Sequence, residues 1–215
     1  MEIKPISTYR GPFGSKFGIP RQSSLVNVEG RIVFEEAYRN REALRGLEGF
    51  GRIWLIWGFN ANKEAKGEWQ PTVRPPRLGG NTAMGVFATR SPYRPNPLGL
   101  SCVELKAIEN GELVIGGADL MDGTPIYDIK PYLPYADSYP EAKAAWATEA
   151  PEAKLKVVVP DNLDLEPELL NILALDPRPA YQDTAEKVYG MLYAGRDIKF
   201  KVEGDTLTVL SVEKA

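Results

Sequence analysis

Proline and glycine punctuate this chain at close intervals, with 18 prolines and 20 glycines spread among 215 residues. Proline fixes φ and removes a backbone donor, and glycine admits turns, so this spacing predicts short strands joined by turns in place of long helices. Candidate strands are Ile3 to Thr8, Ile53 to Phe59, Gly85 to Thr89, Pro125 to Lys130 and Leu155 to Val159. Ile53 to Phe59, with two tryptophans and two isoleucines, reads as a strand buried on both faces. Three hairpins are expected: around Glu29-Gly30, around Asn110-Gly111, and around Gly204-Asp205. Arg41 to Leu47 and Tyr139 to Ala150 have helical composition, and Leu165 to Leu175 reads as a helix with Pro167 in its first turn. The pattern predicts a mainly β chain, with a β-rich domain over residues 1–150 and a small α+β domain over residues 151–215.

The chain has one cysteine, Cys102, and no histidine. It therefore has no disulfide framework, no Cys/His zinc site and no His-based catalytic triad. No metal is expected. A lone thiol fits a reducing compartment, so the cytoplasm is the expected location, and Cys102 reads as a small core residue. The apolar run from Ile53 to Phe59 is too short to span a bilayer, and MEIKPISTYR lacks the apolar core of a signal peptide.

The net charge of −3 conceals an asymmetry. Residues 1–100 hold 15 Lys and Arg against 8 Asp and Glu, a net of +7, and the remainder holds 11 against 21, a net of −10. No acid lies between Glu68 and Glu104, a stretch that carries Arg74, Arg77, Arg90 and Arg94. This imbalance points to an anionic partner for the first half, against the alternative of an inert dipolar surface.

Three stretches concentrate chemistry. VRPPRLGGN (73–81) is stiff at its prolines and sharply turned at its glycines. TRSPYRPNPLGLS (89–101) places Pro92, Pro95 and Pro97 within six residues, so Arg90, Arg94 and Asn96 sit on a rigid loop. Rigid donors lower the ordering cost of binding, and arginine offers a planar fork to carboxylate or phosphate. DLMDGTPIYDIKPYLPYAD (119–137) is acidic and rich in tyrosine and proline. Neither a G-x-G-x-x-G nor a P-loop sequence is present. Singly, each stretch could be a connector or a packing feature. Together they read as loops on a scaffold that builds a site.

These stretches, with GIPRQSSLV (18–26) and EALRGLEGFGRIWLIWGF (42–59), resemble the tRNA methyltransferases that methylate N6-threonylcarbamoyladenosine beside the anticodon. LDPRPAY (175–181) and VYGMLY (188–193) resemble the C-terminal appendage of the longer members. The resemblance implies a single-sheet β-barrel that binds S-adenosyl-L-methionine, acts on tRNA and works as a homodimer. It implies cofactor contacts at Gln22, Ser23, Ser24, Asn60, Ala61, Arg90, Leu100, Leu120, Met121, Asp122 and Gly123. Many members carry histidine where this chain has Asn60, which cannot titrate.

Methyl transfer to a delocalised nitrogen needs positioning and a base. Without histidine, Asp128 and Asp122 are the candidates for that base, and Lys130 and Tyr132 are candidates for orienting the acceptor. In a strand, Asp128, Lys130 and Tyr132 would share a face. A buried Asp128–Lys130 pair that only holds the loop is the competing reading. Arg74, Arg77 and Arg94 are expected to meet RNA phosphate or a second subunit. In the C-terminal unit, Arg178, Lys187, Arg196, Lys199 and Lys201 form a basic set, with Arg178 and Lys199 as nucleic-acid contacts. The competing functions are a non-catalytic β-barrel RNA-binding module and a methyltransferase with another nucleobase or a small-molecule acceptor.

Overall fold

The computed structural model describes residues 2–59, 69–178 and 187–215. The first part contains β1 (Ser7–Arg10), β2 (Glu29–Phe34), β3 (Arg52–Gly58), the two-residue strands β4 (Thr72–Val73) and β5 (Met84–Gly85), β6 (Leu98–Glu109), β7 (Glu112–Gly116) and β8 (Pro125–Pro131). Six of these close into a barrel in the order β1–β2–β7–β6–β3–β8, every pairing antiparallel. Strand alternation sends one face inward, and closure leaves no unpaired barrel edge. Tyr9, Ile32, Ile53, Leu55, Val103, Leu113, Ile115 and Ile126 fill the interior.

The Asn110-Gly111 hairpin forms as expected, with both residues at positive φ (53° and 83°). The closing hairpin between residues 203 and 206 forms as well. The hairpin expected at Glu29-Gly30 does not form: β2 runs straight through it. Gly30 lies under the Tyr9 ring, where an added Cβ would come within 2.4 Å of the ring. Its small size, not its turn propensity, is what the fold uses. β3 is buried on one face only, through Ile53, Leu55 and Trp57. Trp54 and Ile56 lie on the outer face. Residues 86–88 form a 3-10 turn and not a strand. The segment 139–150 forms only a 3-10 turn at Ala145–Ala147, because almost every side chain there is exposed and no apolar stripe packs it into a helix.

After the short helix α1 (Pro134–Asp137) come β9 (Lys156–Val158), α2 (Pro167–Ala174), β10 (Tyr189–Tyr193), β11 (Arg196–Glu203) and β12 (Thr206–Lys214). The sheet order is β10–β11–β12–β9, with β9 parallel to β12. α2 starts with Pro167 at its first turn and lays Leu169, Ile172 and Leu173 into this sheet's core. That core also takes in Phe13, Val26 and Val28, with Phe17 and Ile19 against it, all from the segment between β1 and β2. Phe13 meets Tyr193 edge-on at 5.5 Å, and Phe17 stacks on Tyr189 and Phe200. The segment 11–28 is thus built into both parts of the chain. No helix among the described residues is long and apolar enough to cross a membrane.

Candidate active site

One cleft of about 360 Å³ gathers residues from five places along the chain. The segment 11–28 supplies Pro20, Arg21 and Gln22. The end of β3 supplies Trp57, and Phe59 follows. The proline-rich loop supplies Thr89, Arg90 and Arg94. The start of β6 supplies Leu98, Gly99 and Leu100, and Asp119 comes from the turn after β7. Two of the three sequence stretches therefore converge here, joined by a segment anchored in the C-terminal core.

The rigid loop fixes its arginines differently. The Arg94 guanidinium donates to the carbonyls of Val86 (3.2 Å) and Thr89 (2.8 Å) and lies over the Phe87 ring at 5.8 Å. Those bonds brace the loop. Arg90 donates to the Gln22 amide oxygen and stays exposed at the cleft. Among the described residues, neither forms an ion pair with an acid. Arg90 thus keeps donor capacity for a ligand.

The cleft floor carries a hydrogen-bonded chain. The Trp57 indole Nε1 donates to Ser101 Oγ at 2.9 Å, and Ser101 Oγ donates to Asp119 Oδ1 at 2.5 Å. Gly99 makes this possible, since the Trp57 indole occupies the space a Cβ would need and an added Cβ would lie 2.2 Å from Cε2. Burial pushes the Asp119 carboxyl above the ordinary carboxylate range. Its bond from Ser101, the Ser23 backbone N–H and the Arg90 charge act in the opposite direction. Asp119 stands in the acidic stretch, yet sequence reasoning gave the weight to its neighbours. No local pattern distinguishes it, because its environment is set by β3, β6 and the 11–28 segment.

The other candidates are distributed as follows. Ser24 has a left-handed backbone (φ 65°), donates its N–H to the Gly117 carbonyl at 2.8 Å and receives Arg52 on its hydroxyl at 3.0 Å. Leu120 is in the barrel core, and the Met121 carbonyl receives the Thr124 hydroxyl at 2.7 Å. The Gly123 N–H bonds the Tyr9 carbonyl at 2.9 Å. Asp122 accepts from the Gly11 N–H at 3.1 Å and pairs with Arg10 at 3.4 Å, so it pins the exit of β1 and does not line the cleft. Asn60 and Ala61 lie outside the described residues.

Asp128 and Lys130 form an ion pair at 3.1 Å on the outer face of the barrel, both substantially exposed, so the pair is not buried. The cause is a bulge: Ile56 pairs with Asp128 and Trp57 with Ile126, leaving Tyr127 extra. The inserted residue flips the alternation, so Ile126 points inward while Asp128 and Lys130 point outward. Tyr132 lies one residue beyond β8 and packs against Trp54 at 6.0 Å. Asp137 clasps the same region. It accepts from the Leu133 N–H and the Trp54 indole, both at 2.9 Å, and these bonds hold its carboxyl below the usual range.

Arg74 is exposed, and Arg77 donates to the Glu149 carbonyl. Arg178 is buried and held in a fork by Asp176, at 2.9 and 3.0 Å. The C-terminal basic set is locally neutralised: Lys199 pairs with Asp197, Arg196 with Glu166, and Lys201 with Glu203. Cys102 is half-buried on the outer face opposite Trp54, not in the core, and burial pushes its thiol up.

The closed antiparallel barrel and the small C-terminal sheet are also the two parts that family models of a methyltransferase class match. The family model described as the tRNA-methyltransferase O N-terminal domain matches residues 8–138, and the TrmO C-terminal domain matches residues 144–215. The chain belongs to the tRNA-methyltransferase O family. It is 42% identical to the tRNA (adenine(37)-N6)-methyltransferase of Escherichia coli, over 99% of this chain and 97% of that protein. It is also 42% identical to a Pseudomonas aeruginosa protein named as a putative S-adenosylmethionine-dependent methyltransferase, over 84% of this chain and 83% of that one. A crystal structure of TrmO from Pseudomonas aeruginosa superposes with a TM-score of 0.80 at 31% identity, covering 99% of this chain and 98% of that one.

Proposed function

We propose that this chain is an S-adenosylmethionine-dependent methyltransferase acting on N6 of adenine 37 in tRNA, with N6-threonylcarbamoyladenosine as the acceptor. The observation that carries this reading is the cleft itself. An exposed, oriented Arg90 stands near a sunken Asp119, and the walls are Trp57, Phe59 and Leu100. Such a donor set fits a ligand with an amino-acid end and a nucleoside end: a fork for the carboxylate, and apolar and aromatic surface for the base. When bound, the cofactor supplies an electrophilic methyl group on a sulfonium.

The chain's residues do the positioning. Arg90 holds the methionyl carboxylate, with Gln22 setting its direction. A second recess of about 440 Å³ shares Phe59 and Leu98 with the first and is lined by Asn96 and Tyr127. The recess and the cleft adjoin at this shared wall, so cofactor and acceptor base lie side by side across it, with the acceptor's reacting edge turned toward the cleft. Arg74 and Arg77, in a stretch without acids, face the RNA backbone. Exposed Phe87, Leu98 and Leu100 suit pairing with a second copy, consistent with a homodimer. In this reading residues 1–150 are the catalytic domain and 151–215 a tRNA-contacting domain, in the cytoplasm.

The test is the thermal midpoint with S-adenosylmethionine, S-adenosylhomocysteine and ATP, with and without bulk tRNA. A ligand that binds only the folded state raises the midpoint by mass action. Shifts with the first two and none with ATP are expected. No shift with either, tRNA present or absent, contradicts an enzyme and leaves an RNA-binding module.

A further inference from the structure

We propose that Asp119 is the catalytic base, with Ser101 and Trp57 as its positioning residues. This rests on the methyltransferase reading. It concerns which group takes the acceptor's proton, a role the sequence placed on Asp128 or Asp122. Asp128 is on the outer barrel face in an ion pair with Lys130, and Asp122 pins the exit of β1 and does not line the cleft. Among the described residues, Asp119 is the carboxylate that lines the cleft.

Three features suit Asp119 to the task. Its Oδ1 is fixed by Ser101 at 2.5 Å, and Ser101 is itself fixed by the Trp57 indole at 2.9 Å, so the carboxylate is aimed before any ligand arrives. It lines the same cleft as Arg90, the residue assigned to the cofactor's carboxylate. Burial in the floor raises its basicity, and a base nearer to the working pH is a better catalyst. The charged and titratable groups that face it are Arg90 from the proline-rich loop and Tyr9 from β1, whose phenol burial pushes far up and keeps neutral. Arg21 and Arg94 line the same cleft.

The step balances. Asp119 accepts the N6 proton as the carbon–nitrogen bond forms, and the electron pair of the N–H bond stays on nitrogen. The carbon–sulfur bond breaks with its pair on sulfur. One cation and one carboxylate become a neutral thioether and a carboxylic acid, and the Asp119 proton then leaves to water at the cleft mouth.

The experiment compares wild type with Asp119→Asn and Ser101→Ala in two assays. One is single-turnover methylation of tRNA carrying threonylcarbamoyladenosine across pH. The other is the thermal midpoint with and without S-adenosylmethionine. Asp119→Asn should lower the rate by about 100-fold or more, the usual weight of a general base, while the cofactor-induced shift persists. The wild-type rate should fall toward acid pH with an apparent pKa above the ordinary carboxylate range. Ser101→Ala should move that limb to higher pH, since the lost hydrogen bond favoured the ionised form.

Stability gives an independent readout. The folded-state pKa of Asp119 lies above its unfolded value, so its contribution to stability is present below the unfolded pKa and is lost as pH rises through the folded one. At pH 8 the unliganded Asp119→Asn variant should therefore melt at or above wild type. An Asp119→Asn enzyme within threefold of wild type overturns the proposal. So does a variant that loses the cofactor-induced shift, which would make Asp119 a cofactor ligand. A wild-type protein that neither shifts with cofactor nor methylates tRNA overturns the methyltransferase reading itself.

Discussion

Arg90→Ala should raise the KM for S-adenosylmethionine by on the order of 10- to 100-fold and erase most of the cofactor-induced thermal shift at moderate ligand concentration. The range follows from losing a charge-assisted hydrogen-bonded pair with a carboxylate. The unliganded protein should melt almost unchanged, because the bond from Arg90 to Gln22 is exposed and the guanidinium supports no core residue. Arg90→Lys should recover only part of the loss, since an ammonium cannot present the same planar fork. Titration of each variant with the cofactor, followed by thermal midpoint and initial rate, checks this. An Arg90→Ala enzyme with wild-type KM would move the carboxylate contact elsewhere, with Arg21 the next guanidinium in the cleft.

The second large effect lies far from the chemistry. Phe13→Ala should destabilise the fold by about 3–5 kcal/mol, the usual cost of removing a fully buried phenylalanine. In a chain of this size that is a fall in Tm on the order of 10 °C. Phe13 is fully buried between β10 and the neighbouring core, and its carbonyl receives the Asp122 N–H at 2.8 Å. It anchors the segment that also carries Gln22 and Ser23. The variant should therefore bind S-adenosylmethionine more weakly although Phe13 never nears the cleft. Denaturant unfolding and cofactor titration on the same sample separate the two losses. A cost under about 1 kcal/mol would show that the segment is not part of the C-terminal core.

The Arg90 loop was legible because its features are local. Three prolines in six residues imply a stiff loop whatever its surroundings, and arginine has few uses on such a loop besides binding or bracing. The Asn110-Gly111 hairpin was legible for the same reason, since few residue pairs accept two positive φ angles. Asp119 was not legible, because its role depends on being enclosed by Trp57, Ser101 and Ser23, which lie 18 or more residues away in the chain. Asp128 drew attention through strand alternation, and Asp128 and Lys130 do share a face, but the bulge at Tyr127 turns Ile126 inward and leaves that face on the outside of the barrel. Glycine was the ambiguous residue. Gly30 and Gly99 read as turn or loop signals, but each serves to admit an aromatic ring from a neighbouring strand.

Charge patterning was informative in one half of the chain only. The acid-free stretch from 69 to 103 leaves Arg74 and Arg90 without carboxylate partners among the described residues, as an anion-binding surface requires. In the C-terminal unit the basic residues are paired locally with acids. Each of Arg196, Lys199 and Lys201 meets an acid across or along the strands, and Arg178 is buried on Asp176. Exposed pairs of this kind contribute little to stability, but they remove net charge that a phosphate would feel.

The central claim is that the Arg90–Asp119 cleft transfers methyl groups to adenine 37 of tRNA. Its most direct test is incubation of the purified protein with labelled S-adenosylmethionine and tRNA bearing N6-threonylcarbamoyladenosine, followed by nucleoside mass spectrometry. The account predicts one added methyl group on N6 of that nucleoside and none on the same tRNA lacking the threonylcarbamoyl group. Methyl incorporation at another base, or none despite a cofactor-induced thermal shift, would contradict it.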